Sequence, residues 1–165
     1  MKRFGVMAHR SRGFTLIELV ITVAIIAILA SAAVPFAEIS ARRVKEHELR
    51  VALRQIREAI DAYKQAVDEG RVTKRADETG YPKTLTVLAS GVDDAKDAQK
   101  KAKIYFLRRI PRDPFSTSPS LRPEQTWGLR SYASAPDDPK PGDDVYDVYS
   151  LATGNGLNGV RYREW

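Results

Sequence analysis

Glu18 is the one charged residue between Phe14 and Val34, a stretch of 21 residues that is otherwise almost continuously apolar. A carboxylate inside a membrane helix costs about 2.5–3.5 kcal/mol near the bilayer centre on insertion scales, so such a residue needs a partner. Four positions upstream stands Phe14, preceded by Gly13. A cut between Gly13 and Phe14 would create a new amine on Phe14. That amine would neutralise Glu18, either in its own chain or in a neighbour within a stack of helices. The chemistry written here is done to the chain, not by it.

The remaining reactive side chains do not assemble into a catalyst. The chain has two histidines, His9 near the start and His47 in a charged helix, and no cysteine. Disulfides, thiolate metal sites and cysteine nucleophiles are therefore excluded. A Ser/His/Asp arrangement or a histidine-based metal cluster cannot be built in the C-terminal half. Asp137-Asp138 and Asp143-Asp144 are carboxylate pairs, but adjacent acids in a Pro-rich segment read as solvated turn formers. Trp127 and Trp165 read as packing anchors. No catalytic residue is assigned, and an enzyme is not expected.

The elements that must position Glu18 follow from hydropathy. Residues 1–13 form a basic leader, and residues 14–34 are long enough to cross a hydrocarbon core at about 31 Å as a helix. Beyond Pro35, Leu49, Leu53, Ile56, Ile60, Tyr63 and Val67 recur at steps of three and four. Residues 35–69 thus continue as an amphipathic helix with one apolar stripe, stopped near Gly70. Read as one helix, 14–69 would extend about 84 Å, with a bend at Pro35. Residues 70–165 form a head. Within it the pattern predicts a short helix over 84–89, an exposed charged stretch over 93–103 and a helical turn through Ile104, Leu107 and Ile110. Strands are predicted over 129–133 and 145–151, a loop over 136–142 and a final strand over 160–163. The fold class is α+β.

Charge argues against a nucleic-acid partner. Of 27 Lys and Arg residues, Lys2, Arg3, Arg10 and Arg12 lie in the leader, leaving 23 against 21 acids, a formal +2. No basic stripe interleaved with aromatics accompanies it.

The run Gly13-Phe14-Thr15-Leu16-Ile17-Glu18-Leu19 resembles the processing motif of type IV prepilins and type II secretion pseudopilins. The resemblance implies cleavage between Gly13 and Phe14, N-methylation of Phe14 by a prepilin peptidase, and a pilin-like fold. Pro35 falls where these families place a proline in their long helix. Two plainer readings compete: a secretory signal peptide cut after Ala30-Ser31-Ala32, and an uncleaved anchor. In the head, Tyr81-Pro82, the run Ile104–Phe115 and Tyr146–Leu151 with the Gly-rich tail resemble the major, G-type pseudopilin. That implies a filament subunit anchored in the inner membrane with a periplasmic head. Its implied partners are copies of itself, minor pseudopilins, the peptidase and an inner-membrane assembly platform. A type IV pilin is the alternative.

Major pseudopilins carry a calcium site in the C-terminal loop, and here the resemblance falters. Residues 152–159 contain no carboxylate; Thr153, Asn155 and Asn158 offer neutral oxygens only. Calcium would need Asp143, Asp144 or Asp147 to fold in from the strand side. The preferred expectation is a turn stabilised by glycine and asparagine, with no cofactor.

Overall fold

A computed structural model describes residues 13–99 and 102–165, without the side chains of 32–34. Residues 1–12 of the leader lie outside the described residues. Helix α1 runs Leu16–Asp68 and contains Pro35. Contacts divide the chain at residue 41/42. In the first unit, α1 begins with side chains that are all exposed through Ser31. This part of the helix is long and apolar enough to cross a membrane, and none of its most apolar stretch is buried.

In the second unit the stripe expected of α1 becomes the centre of a core. Leu49, Leu53, Ile56 and Ile60 are sealed against α2 (Leu85–Ser90), Trp127, Val145, Val148 and Tyr162. Strands β3 (Trp127–Arg130) and β4 (Asp147–Ser150) pair antiparallel, with Gly128 opposite Tyr149 and Leu129 opposite Val148. The Tyr149 ring lies over Gly128 so closely that any β-carbon there would meet it at 2.2 Å, which explains the glycine. Two short strands, β1 (Val92–Asp93) and β2 (Lys103–Ile104), form a second antiparallel pair beside Ala66, Val67 and Val72. Helix α1 closes as expected at Gly70, whose φ of 70° suits glycine, while the Arg71 N–H reaches back to the Ala66 carbonyl at 2.8 Å. The architecture is a long helix with a small antiparallel two-sheet head, an α+β, pilin-like fold.

Several local expectations shift. The helical turn over 104–110 does not form: Lys103–Ile104 is strand, and the N–H groups of Phe106 and Leu107 both donate to the Leu88 carbonyl at 3.0 and 2.9 Å. A helical turn would aim these side chains one way, but they serve two cores. Ile104 packs on the Ala66 cluster, and Leu107 and Ile110 pack on the main one. Pro111 also disfavours a helical Ile110. The predicted final strand is reduced to a bridge between Asn155 and Arg161, followed by a 3-10 turn at Tyr162–Glu164. The period of three turns Tyr162 and Trp165 to the same side, where their rings meet at 5.1 Å; a strand would send them apart. Strand β3 begins two residues early and ends before Ser131, whose N–H is taken by the Lys140 carbonyl at 2.9 Å.

Candidate functional site

Gly13, Phe14 and Thr15 precede the first helical residue, Leu16. Gly13 is exposed, and among the described residues nothing lies within 4 Å of a β-carbon placed on it. The Gly13–Phe14 bond therefore lies in exposed, non-helical backbone. Thr15 then caps α1: its hydroxyl accepts the Glu18 N–H at 3.3 Å. Thr-x-x-Glu is the spacing of a capping box, and a carboxylate in the first turn faces the positive end of the helix dipole. Glu18 thus has a local reason to sit at this helix start, besides any neighbour it pairs with. The spacing was visible in the sequence, and the capping role of Thr15 was missed there.

Downstream of this cap the surface is apolar on every side. Phe14, Leu16 and Ile28 are 77, 84 and 70% exposed. The hydroxyls of Thr22 and Ser31 are satisfied within the helix by the Leu19 and Ile28 carbonyls, at 2.9 and 2.7 Å. A helix that meets its own polar needs and presents only hydrocarbon outward suits lipid or other such helices as its surroundings. Pro35 lies farther along the same helix. The structure thus gathers Gly13, Phe14 and Glu18 at one helix start and leaves Pro35 apart from them.

The comparisons agree with this geometry. Residues 8–34 match the model of the prokaryotic N-terminal methylation motif. The chain is 29% identical over 143 residues to a type II secretion system core protein G of Klebsiella pneumoniae, covering 83% of this chain and 94% of that protein. It is 28% identical to the protein of the same name from Pectobacterium carotovorum, over 86% of this chain and 87% of the other. The Dickeya chrysanthemi protein of that name shares 26% over 93% of this chain and 97% of its own. No solved structure matches the chain.

The chain is thus similar to type II secretion system core protein G over most of its length and carries the prokaryotic methylation motif at its N-terminus.

Two of the three aspartates that a calcium site would need, Asp144 and Asp147, are committed elsewhere. Buried Asp144 accepts the Tyr132 N–H at 2.8 Å and the Thr79 hydroxyl. Asp147 takes the Arg57 guanidinium at 2.7 Å and its neighbour's N–H, Val148, also at 2.7 Å, with Arg130 at 3.8 Å. Asp143 is exposed and lines a cleft with Arg75, Asp77 and Thr79. These contacts hold the strand ends and the 79–83 turn in place. The carboxylates do not supply the donor set that a cation in segment 152–159 would require.

Proposed function

We propose that this chain is a pseudopilin, a structural, non-catalytic subunit of a type II secretion pseudopilus. A prepilin peptidase removes residues 1–13 and methylates the new amine of Phe14. The mature helix sits singly in the inner membrane, with the head in the periplasm. Lateral burial of the 14–34 helices then draws subunits into a filament, together with minor pseudopilins and an inner-membrane assembly platform. Glu18 fixes the axial register by meeting the Phe14 amine of a neighbour, and Pro35 lies in the helix that packs. Growth of such a filament would drive folded proteins through an outer-membrane channel.

The observation that carries this reading is an apolar helical stretch, exposed from Leu16 to Ser31, whose start combines an accessible Gly-Phe bond with one carboxylate. Burying that surface against like helices in lipid is the available driving force. The relatives' shared name favours secretion over a type IV pilus.

Mass analysis of the N-terminal peptide from membrane-extracted protein tests the processing. A chain starting at methylated Phe14 is expected. A start at Ala33 would establish the secretory-signal reading, and an intact Met1 would establish the simple anchor.

A further inference from the structure

The C-terminal loop is tied down by two residues of α1 that stand one turn apart. Arg42 donates from Nε to the Tyr162 hydroxyl oxygen at 3.0 Å and from Nη2 to the Asn155 backbone carbonyl. Glu46, only 4% exposed, accepts the Leu157 N–H at 2.8 Å and the Tyr162 O–H at 2.9 Å through Oε1. The two side chains also face each other, Nε to Oε1, at 3.4 Å. Tyr162 is itself 3% exposed, and its ring lies 4.4 Å from that of Phe115. Burial and the hydrogen bond to Glu46 together push its hydroxyl pKa up, with the Arg42 bond opposing.

We propose that Arg42, Glu46 and Tyr162 form a built-in clamp that orders the loop 152–159 without a metal ion. A divalent cation orders a loop by collecting oxygens around a positive charge. Here the Arg42 guanidinium supplies that charge to the Asn155 carbonyl, and Glu46 holds a backbone N–H, which no cation can do. The polarity is decisive. A loop with no carboxylate has a single carbonyl matched by a fixed cation, and a single amide matched by a fixed anion. A calcium ion entering beside Arg42 would meet a like charge and no free acid.

The loop's own bonds complete the turn. The Gly156 N–H donates to the Val160 carbonyl at 2.7 Å, the Val160 N–H to Asn158 Oδ1 at 3.1 Å and the Tyr162 N–H to the Gly154 carbonyl at 3.2 Å. Gly156 is confined beneath Trp165, whose ring would lie 2.2 Å from an added β-carbon. Trp165 is in turn covered by the Arg50 guanidinium at 4.3 Å from its ring centre. The clamp therefore connects α1 to the loop and, through Gly156, to the last aromatic residue. This inference is independent of the filament reading, since it concerns the fold of the head.

The test uses the full chain in detergent, with thermal melts and amide hydrogen exchange in chelator and in millimolar calcium. The expected result is the same Tm and the same protection of the Leu157 amide in both. Glu46→Ala should speed exchange at Leu157 by about tenfold or more, because the amide loses a charged acceptor in a buried place. Arg42→Met should loosen Asn155–Leu157 and lower Tm by roughly 5 °C. Should Glu46→Ala fail to fold, Glu46→Gln, which keeps an acceptor oxygen but no charge, should fold and show intermediate protection. A calcium-dependent rise of Tm in the wild type would overturn the clamp. So would an unchanged Leu157 exchange rate in either Glu46 variant.

Discussion

Leu16 through Leu29 and Leu49 through Ile60 lie on one helix, yet their apolar side chains meet opposite fates. Each large apolar residue of the first set is more than half exposed, whereas Leu49, Leu53, Ile56 and Ile60 are at most 2% exposed. The difference is one of partners. The second stretch has α2, two strands and a C-terminal turn of its own chain to bury against. The first must find hydrocarbon outside itself, in lipid or in other subunits. One half of the helix stabilises the head, and the other, on the proposed function, is left for assembly.

The strongest way to break that division is at Glu18. Glu18→Ala removes the charge that has to be matched in lipid, so insertion should not suffer. Filament yield is expected to fall roughly tenfold or more, the factor that ~1.4 kcal/mol per contact produces, while the head's Tm stays the same. Quantifying sheared or cross-linked filaments beside a thermal melt would check both halves of the statement. Normal yield would remove the register role.

Within the head, Ile56→Ala empties the middle of the core and should cost about 2–5 kcal/mol, read from denaturant unfolding. Ile25→Ala, the same change in the exposed half, should leave that transition within ~0.5 kcal/mol. Equal losses at both sites would mean that the two halves are not energetically separate.

Asp113 gives a smaller and more specific effect. It is 2% exposed and accepts the Phe115 N–H at 2.8 Å and the Ser150 hydroxyl at 2.6 Å. Asp113→Ala leaves both donors buried without an acceptor, for a loss of roughly 2–3 kcal/mol. Asp113→Asn should restore part of it. The acid belongs to the segment Arg112–Pro114, so the fold itself gives that segment's carboxylate a use in holding β4.

The least effect should come from acid. The hydrogen bond and charge of Arg71 hold the Asp94 carboxyl below the usual range, and Lys83 does the same for Glu78. Their folded pKa values lie below the unfolded ones. The stability they lend is therefore present above about pH 4 and is lost as pH falls through the folded pKa values. Both groups are screened by solvent, so the melt of Arg71→Met should differ from wild type only slightly, and the difference should vanish in strong acid. A difference that grows toward low pH would contradict the pairing.

Much of the molecule was legible because its signals are local. The apolar run, the Phe14–Glu18 spacing, the six-residue stripe from Leu49 to Val67 and the stop at Gly70 each occupy a few consecutive turns. Hydropathy and helix geometry read them directly. Ile104, Leu107 and Ile110 misled for the same reason: their spacing is helical, but the packing splits them between two clusters, and periodicity carries no information about two destinations. Strands of two residues, such as β1 and β2, lie below the length at which alternation can be recognised.

The sequence by itself determined which part of the chain must leave water and where its one charge sits, since hydropathy and spacing are properties of neighbours. Tertiary structure alone decided what orders the C-terminal loop. Arg42 and Glu46 lie 113 and 111 positions from the backbone groups they hold, and Asp147 lies 90 from the Arg57 that takes it away from any metal. Nothing in the types of those residues names their partners. Only the return of the last strand and turn onto α1 brings the Arg42 guanidinium and the buried Glu46 carboxylate within reach of the loop's carbonyl and amide.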